Sequence, residues 1–220
     1  LRAGAWPSTQ IALLVFLAEV FAALAIALLA AYFRGTYLDH WTTFVCVLLM
    51  SVTALVYIMA GQYVLGKLLR LYPVAGYQLG VHSWRFVLLP AVLGAIMGLG
   101  GSVRFNRSVM LEEMNQDYVR TARAKGVGEC AVLFRHVLKN ASIPILTSVV
   151  LSIPFLFMGN LLLESFFGIP GLGSLLVDAI NSQDFAVVRS MVFLGTVLYI
   201  VGATLTDLSY ALVDPRVRLE

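Results

Sequence analysis

Glu19 is the only charged residue in the apolar run Ile11–Phe33. It lies about 12 Å along that run at ~1.5 Å per helical residue. An acid at such depth costs roughly 2.5–3.5 kcal/mol on insertion scales. Its side chain is therefore expected to face an interior, protonated or hydrogen-bonded, where a substrate amine is the ligand it suits. A second polar position, Asn160, follows Pro154 in another apolar run, and a kink near residues 150–152 with a polar group beyond it suits the border of a pathway. A third group is dense in charge of both signs: Glu113, Asp117, Tyr118, Arg120, Thr121, Ala122, Arg123, Lys125 and Gly126, then Arg135, His136 and Leu138. Mixed charge beside a Met- and Tyr-bearing stripe suits a groove on another protein. The plainer alternative is a surface helix resting on lipid headgroups. A fourth stretch holds Glu164, Pro170, Gly171, Gly173, Asp178 and Asp184. Its glycines precede a short helix-like run, but their spacing fits neither nucleotide fingerprint.

Other chemistries find little support. His40, His82 and His136 fall in three separate loops, and Cys46 and Cys130 are far apart, so neither a metal nor a redox site is expected. No Gly-x-x-x-x-Gly-Lys-Ser/Thr phosphate loop occurs, so any ATP-derived force must come from another chain. An intramembrane enzyme would need polar groups converging at one depth, and only Glu19 and Asn160 offer themselves. No cofactor or metal is expected in this chain.

The elements that position these residues follow from composition. Of the 220 residues, 60% are hydrophobic and 12% charged, against about 45–50% and 25% in soluble domains. Too little polar surface remains to cover a globule, which points to a polytopic membrane protein with its backbone in helices. Five runs are long enough to span a bilayer: 11–33, 42–66, 86–103, 141–163 and 187–206. Trp6, Tyr32, Tyr37, Trp41, Tyr72, Tyr77 and Trp84 mark their borders. The third run carries Gly94 and Gly98 at helical spacing, which suits close helix packing. Residues Asn106–Gly126 read as one amphipathic helix with Met110, Met114, Tyr118 and Ala122 on one side. Gly126 and Gly128 end it, and a second short helix leads to Asn140.

Orientation follows from basic residues. Ten Lys and Arg fall on the side of loop 104–140 and the C-terminus, and five on the other. The ten-side is expected to be cytoplasmic, with loop 164–186 outside. Leu1 then lies outside too, and a span upstream of it is expected. The net charge of +3 thus reflects topology rather than affinity for nucleic acid.

Four separated motifs carry a family resemblance. QDYVRTARAKG at Gln116–Gly126, with RHVLKNA at Arg135–Ala141, resembles the cytoplasmic loop of ABC-importer permeases of the dipeptide/oligopeptide/nickel branch. LLLESFFGIPGLGSLLVDAI at Leu161–Ile180 and DLSYALVDPRVR at Asp207–Arg218 resemble the end of the same family, and LYPVAGY at Leu71–Tyr77 resembles the outer loop of its B-type subunit. Arg120, Thr121 and Ala122 stand where the general consensus has Glu-Ala-Ala. Of Ile-x-Leu-Pro only Leu138 matches, and Asp184-Phe185-Ala186 replaces Asp-Tyr-Pro.

The resemblance implies an all-α polytopic membrane helix bundle, with five spans present of an expected six, in the type I ABC-importer permease fold. It implies a multi-pass subunit of a bacterial or archaeal cytoplasmic (inner) membrane that moves di- or oligopeptides, nickel or similar solutes by alternating access. Residues 112–126 would be the coupling helix. The implied partners are a second homologous permease, two cytoplasmic ABC ATPases holding ATP and Mg, and an extracytoplasmic substrate-binding protein that docks near loop 164–186. A secondary transporter or channel subunit is the alternative.

Overall fold

The computed structural model describes residues 2–78, 83–156 and 160–213, and no strand occurs among them. His82, Arg216 and Arg218 lie outside the described residues, as do the side chains of Pro154 and Asp207. Four helices are long and apolar enough to cross a membrane: Ala5–Tyr32, Trp84–Met114, Glu129–Ile153 and Phe185–Leu205. Two bent helix pairs, Tyr37–Ser51 with Ala54–Leu68 and Leu161–Phe167 with Leu172–Asn181, have the composition of a span.

Helix α1 (Arg2–Tyr32) lies along α4 (Trp84–Met114), the most extensive pairing in the molecule. In its C-terminal half the buried residues are Ala23, Ala27, Ala30 and Ala31, while Phe21 and Leu29 point outward. Small residues inside and large apolar ones outside invert the soluble pattern, as expected where lipid is the solvent and close backbone approach holds helices together. Gly94 and Gly98 do the same for α4. A Cβ at Gly94 would lie 2.7 Å from Val15 Cγ2, so the glycine spacing marks the contact with α1.

Several expected boundaries shift. The run 42–66 is not a straight span: α2 (Tyr37–Ser51) and α3 (Ala54–Gly61) meet at 93°, with Val52 and Thr53 extended between them. One carbonyl freed by the break finds a hydroxyl: Tyr57 donates to Leu49 O at 2.7 Å. An apolar medium offers that carbonyl no other partner. A π-helical stretch, Gln62–Leu68, closes the segment. Helix α4 runs through Arg104 and Arg107 to Met114, so residues 106–114 belong to it rather than to a separate surface helix. The chain turns at Asn115 and Gln116, and only α5 (Asp117–Ala124) is a free-standing short helix.

After Gly126 and Gly128, a helical run continues from α6 (Glu129–Ala131) through the π-helical Val132–Val137 into α7 (Leu138–Leu156). Helices α8 (Leu161–Phe167) and α9 (Leu172–Asn181) meet at 81°, and α10 (Phe185–Val213) closes the described chain. The helix of the expected fourth span, 141–163, therefore begins earlier and is described as far as Leu156, and residues 161–163 belong to α8. Hydropathy locates where bilayer gives way to water, whereas a helix ends where its backbone is capped, and the two borders need not coincide.

Apolar packing forms two larger cores toward the ends of the bundle and a smaller cluster of Ala23, Cys46 and Val103 between them. At the α5 end, Ala27, Met110, Val119, Leu133 and Val137 form one core. At the other end, Ile11, Ile58, Leu89, Leu163 and Phe167 form the second.

Candidate functional site

Between the two cores the bundle opens. A cavity of about 370 Å³ is walled by α1, α4 and α7, with Glu19, Ser102, Asn106, Ser148 and Ser152 supplying its polar atoms. A second cavity of about 250 Å³ adjoins it toward the α8 end, walled by Ala12, Val15, Leu156 and Asn160. Phe16, Glu19 and Ser152 line both. Ser102 Oγ donates to Glu19 Oε1 at 2.5 Å. The structure thus brings Glu19 and Asn160 to one space. Residue 154 is helical within α7, and its side chain lies outside the described residues.

Asn160 also has a local duty. Its Oδ1 accepts from the N–H of Leu163 at 3.3 Å and so caps α8.

The α5 unit is a seated strut. Val119 and Ala122 are buried in the core formed by α1, α4 and α7. Asp117, Arg120, Thr121, Lys125 and Gly126 are exposed on the other side. The expected stripe is corrected at one position: Val119, not Tyr118, succeeds Met114. The break at Asn115 and Gln116 inserts a residue into the four-residue rhythm. Arg123 bridges the following turn with two bonds to Glu129, at 2.8 and 3.0 Å. Arg120 reaches Asp117 at 3.3 Å, an exposed pair of little worth to stability. Gly126 has φ of 78°, a left-handed conformation, and Val127 N–H returns to Ala122 O at 3.2 Å. Arg135 is exposed, whereas His136 and Leu138 are half-buried on the helical run behind α5.

Tyr118 donates to Glu113 on α4. Burial, then this hydrogen bond, push its phenol up to about 12 from 10.0. A raised folded-state value means that the contribution to stability is complete below pH 10 and is lost only as pH climbs toward 12. The stability difference between wild type and Tyr118→Phe should therefore stay constant from pH 6 to 9 in thermal melts.

At the opposite end, Glu164 is fully buried. Its Oε2 accepts from Gly173 N–H at 2.7 Å and Ser174 N–H at 3.2 Å, and its Oε1 from Asn160 N–H at 3.1 Å. A carboxylate thus sits at the N-terminus of α9, where free N–H groups and the helix dipole favour negative charge. The glycines make room for it. A Cβ at Gly171 would lie 2.1 Å from Glu164 Oε2, and one at Gly173 would lie 2.6 Å from Leu161 Cα. Ser8 on α1 completes the knot by accepting from Leu172 N–H at 2.7 Å. Pro170 and Asp178 are exposed. Asp184 caps α10, its Oδ1 accepting from the N–H groups of Ala186 and Val187 at 3.2 Å each.

One pairing escaped the sequence reading. Asp39, 5% exposed, receives Arg107 in a fork, Nε to Oδ1 at 2.7 Å and Nη2 to Oδ2 at 2.8 Å. The residues are 68 apart, and no local pattern joins them. Among the described residues no cluster of His, Cys, Asp and Glu could hold a metal.

A helical bundle with apolar flanks, a polar cavity between its ends and a short helix seated on one end is the architecture of a polytopic membrane protein. The family model described as binding-protein-dependent transport system inner membrane component matches residues 23–219. The chain belongs to that family, and is a membrane permease component of a transport system. It is 35% identical over 216 residues to a protein of Sinorhizobium fredii named probable peptide ABC transporter permease protein y4tP, covering 96% of this chain and 69% of the relative. It is 44% identical over 131 residues to the oligopeptide transport system permease protein AppB of Bacillus subtilis, covering 60% of this chain and 42% of that one.

Proposed function

We propose that this chain is a permease subunit of an ATP-driven peptide importer, coupled to separate ATPases through α5. The observation that carries the coupling role is the two-sidedness of α5: Val119 and Ala122 are held in the bundle core while Asp117, Arg120, Thr121 and Lys125 face outward. A helix gripped this way moves with the bundle, so a push on its outer face becomes a rigid-body motion. Peptide is the favoured cargo because both relatives are named for it; nickel complexes and other small solutes are the next candidates. The α5 end is cytoplasmic, as is the C-terminus, because basic residues concentrate there. ATP and Mg belong to two partner ATPases, and the chain itself catalyses nothing. A second homologous permease completes the pathway around Glu19, Pro154 and Asn160. An extracytoplasmic binding protein delivers cargo at the end built around Glu164 and Asp184.

Two variants test this in reconstituted vesicles. Arg120→Glu should weaken ATPase co-purification roughly tenfold, equivalent to about 1.4 kcal/mol. Gly126→Pro cannot adopt the φ of 78° and should uncouple ATP hydrolysis from uptake. Wild-type uptake by both variants would remove α5 from the coupling role.

A further inference from the structure

The carboxylate of Glu19 occupies the one stretch of wall that the two cavities share. One cavity extends toward the α5 end as far as Leu24 and Asn106, and the other toward the α8 end as far as Asn160. The wall is shaped around the acid. A Cβ at Gly98 would lie 2.4 Å from the carboxyl carbon and from each oxygen, so a side chain there would displace the group from its place. Ser102 holds Oε1, while no hydrogen bond reaches Oε2 among the described residues. No Lys or Arg pairs with Glu19 there either, since the ion pairs found involve Asp39, Asp117 and Glu129. A carboxylate at mid-depth without a counter-charge is costly. A passing cation would offset that cost, and the aromatic Phe16 lies on the same wall.

We propose that Glu19 is a charge-reading site at the junction of the two cavities, which recognises the free ammonium group of the cargo as it passes between them. This rests on the peptide-importer reading and deepens it. A peptide with a free amino terminus carries the matching charge, and one with a blocked terminus does not.

The test uses the complete importer in proteoliposomes, with saturating binding protein and two probes, trialanine and N-acetyl-trialanine. Glu19→Gln, which keeps the size and a hydrogen-bonding oxygen, should lower trialanine uptake about tenfold. It should lower uptake of the acetylated probe less than twofold. Glu19→Asp should recover much of the loss. Co-purification of the ATPases with each variant establishes that it has assembled. Equal losses for both probes would overturn the charge-reading role, as would wild-type trialanine uptake by an assembled Glu19→Gln complex; either leaves the importer reading standing. A wild-type complex that hydrolyses ATP in response to binding protein but moves neither probe would sink the peptide reading and this inference with it.

Discussion

Glu164→Ala is expected to be the most damaging substitution in the chain, costing roughly 3–5 kcal/mol, because several backbone donors lose one charged acceptor at about 1–3 kcal/mol each. Three backbone donors, of Asn160, Gly173 and Ser174, converge on this carboxylate. Alanine leaves them without this acceptor, the buried Gly173 N–H above all, at about 1–3 kcal/mol for each orphaned donor that cannot relax or reach water. It also opens a void where Gly171 and Gly173 had given up their side chains. Glu164→Gln keeps one acceptor oxygen but turns an NH₂ toward N–H groups, so a smaller loss follows. Ser8→Ala removes only the bond to Leu172 N–H and should cost about 1 kcal/mol. Thermal unfolding of the purified protein in detergent, followed by tryptophan fluorescence, should rank the variants Ala, Gln, then Ser8→Ala. A Ser8→Ala loss equal to that of Glu164→Ala would show that the knot between α8, α9 and α1 is not centred on the acid.

The helices that span were legible in the sequence because burial in lipid demands long apolar runs, and five such runs exist. Their breaks were not. The bend at Val52 and Thr53 carries neither glycine nor proline, and one of the carbonyls it frees is met by the hydroxyl of Tyr57, which reads as an ordinary span residue. Periodicity misplaced Tyr118 for a related reason: a two-residue turn restarts the helical phase, so a rhythm that holds within α4 and within α5 fails across their junction. Glu19 was visible as an anomaly of depth, and Gly98 as a packing residue, but that one makes room for the other is a fact of helix register. In sequence Glu164 reads only as part of an extracytoplasmic loop. A Glu followed within ten residues by three glycines and a helix start was the available signal for a buried cap.

Asp39 and Arg107 should lose roughly 2–4 kcal/mol each on replacement by alanine, near the lower part of the range for breaking a buried pair. The Asp39 side chain is 7% exposed and that of Arg107 24%, so the acid is the more expensive group to strand. Arg107→Ala should therefore destabilise more than Asp39→Ala. The double variant should cost less than the sum, with a coupling of about 1–3 kcal/mol, because removing both leaves no uncompensated charge. The pair does more than join two helices. Asp39 Oδ2 also accepts the N–H of Gly35 at 3.0 Å, in the turn where Gly35 takes φ of 76°. One carboxylate thus fixes the α1–α2 turn, the start of α2 and the end of α4 that leads into α5. A charge swap, Asp39→Arg with Arg107→Asp, restores the salt bridge in principle but leaves Gly35 N–H facing a cation. Swapped protein should consequently recover only part of the melting temperature. Full recovery would mean that the turn contributes nothing and that the pair acts as a simple two-helix clasp. Partial recovery, together with loss of ATPase binding in the swapped complex, would place the turn in the frame that holds α5 for its partner.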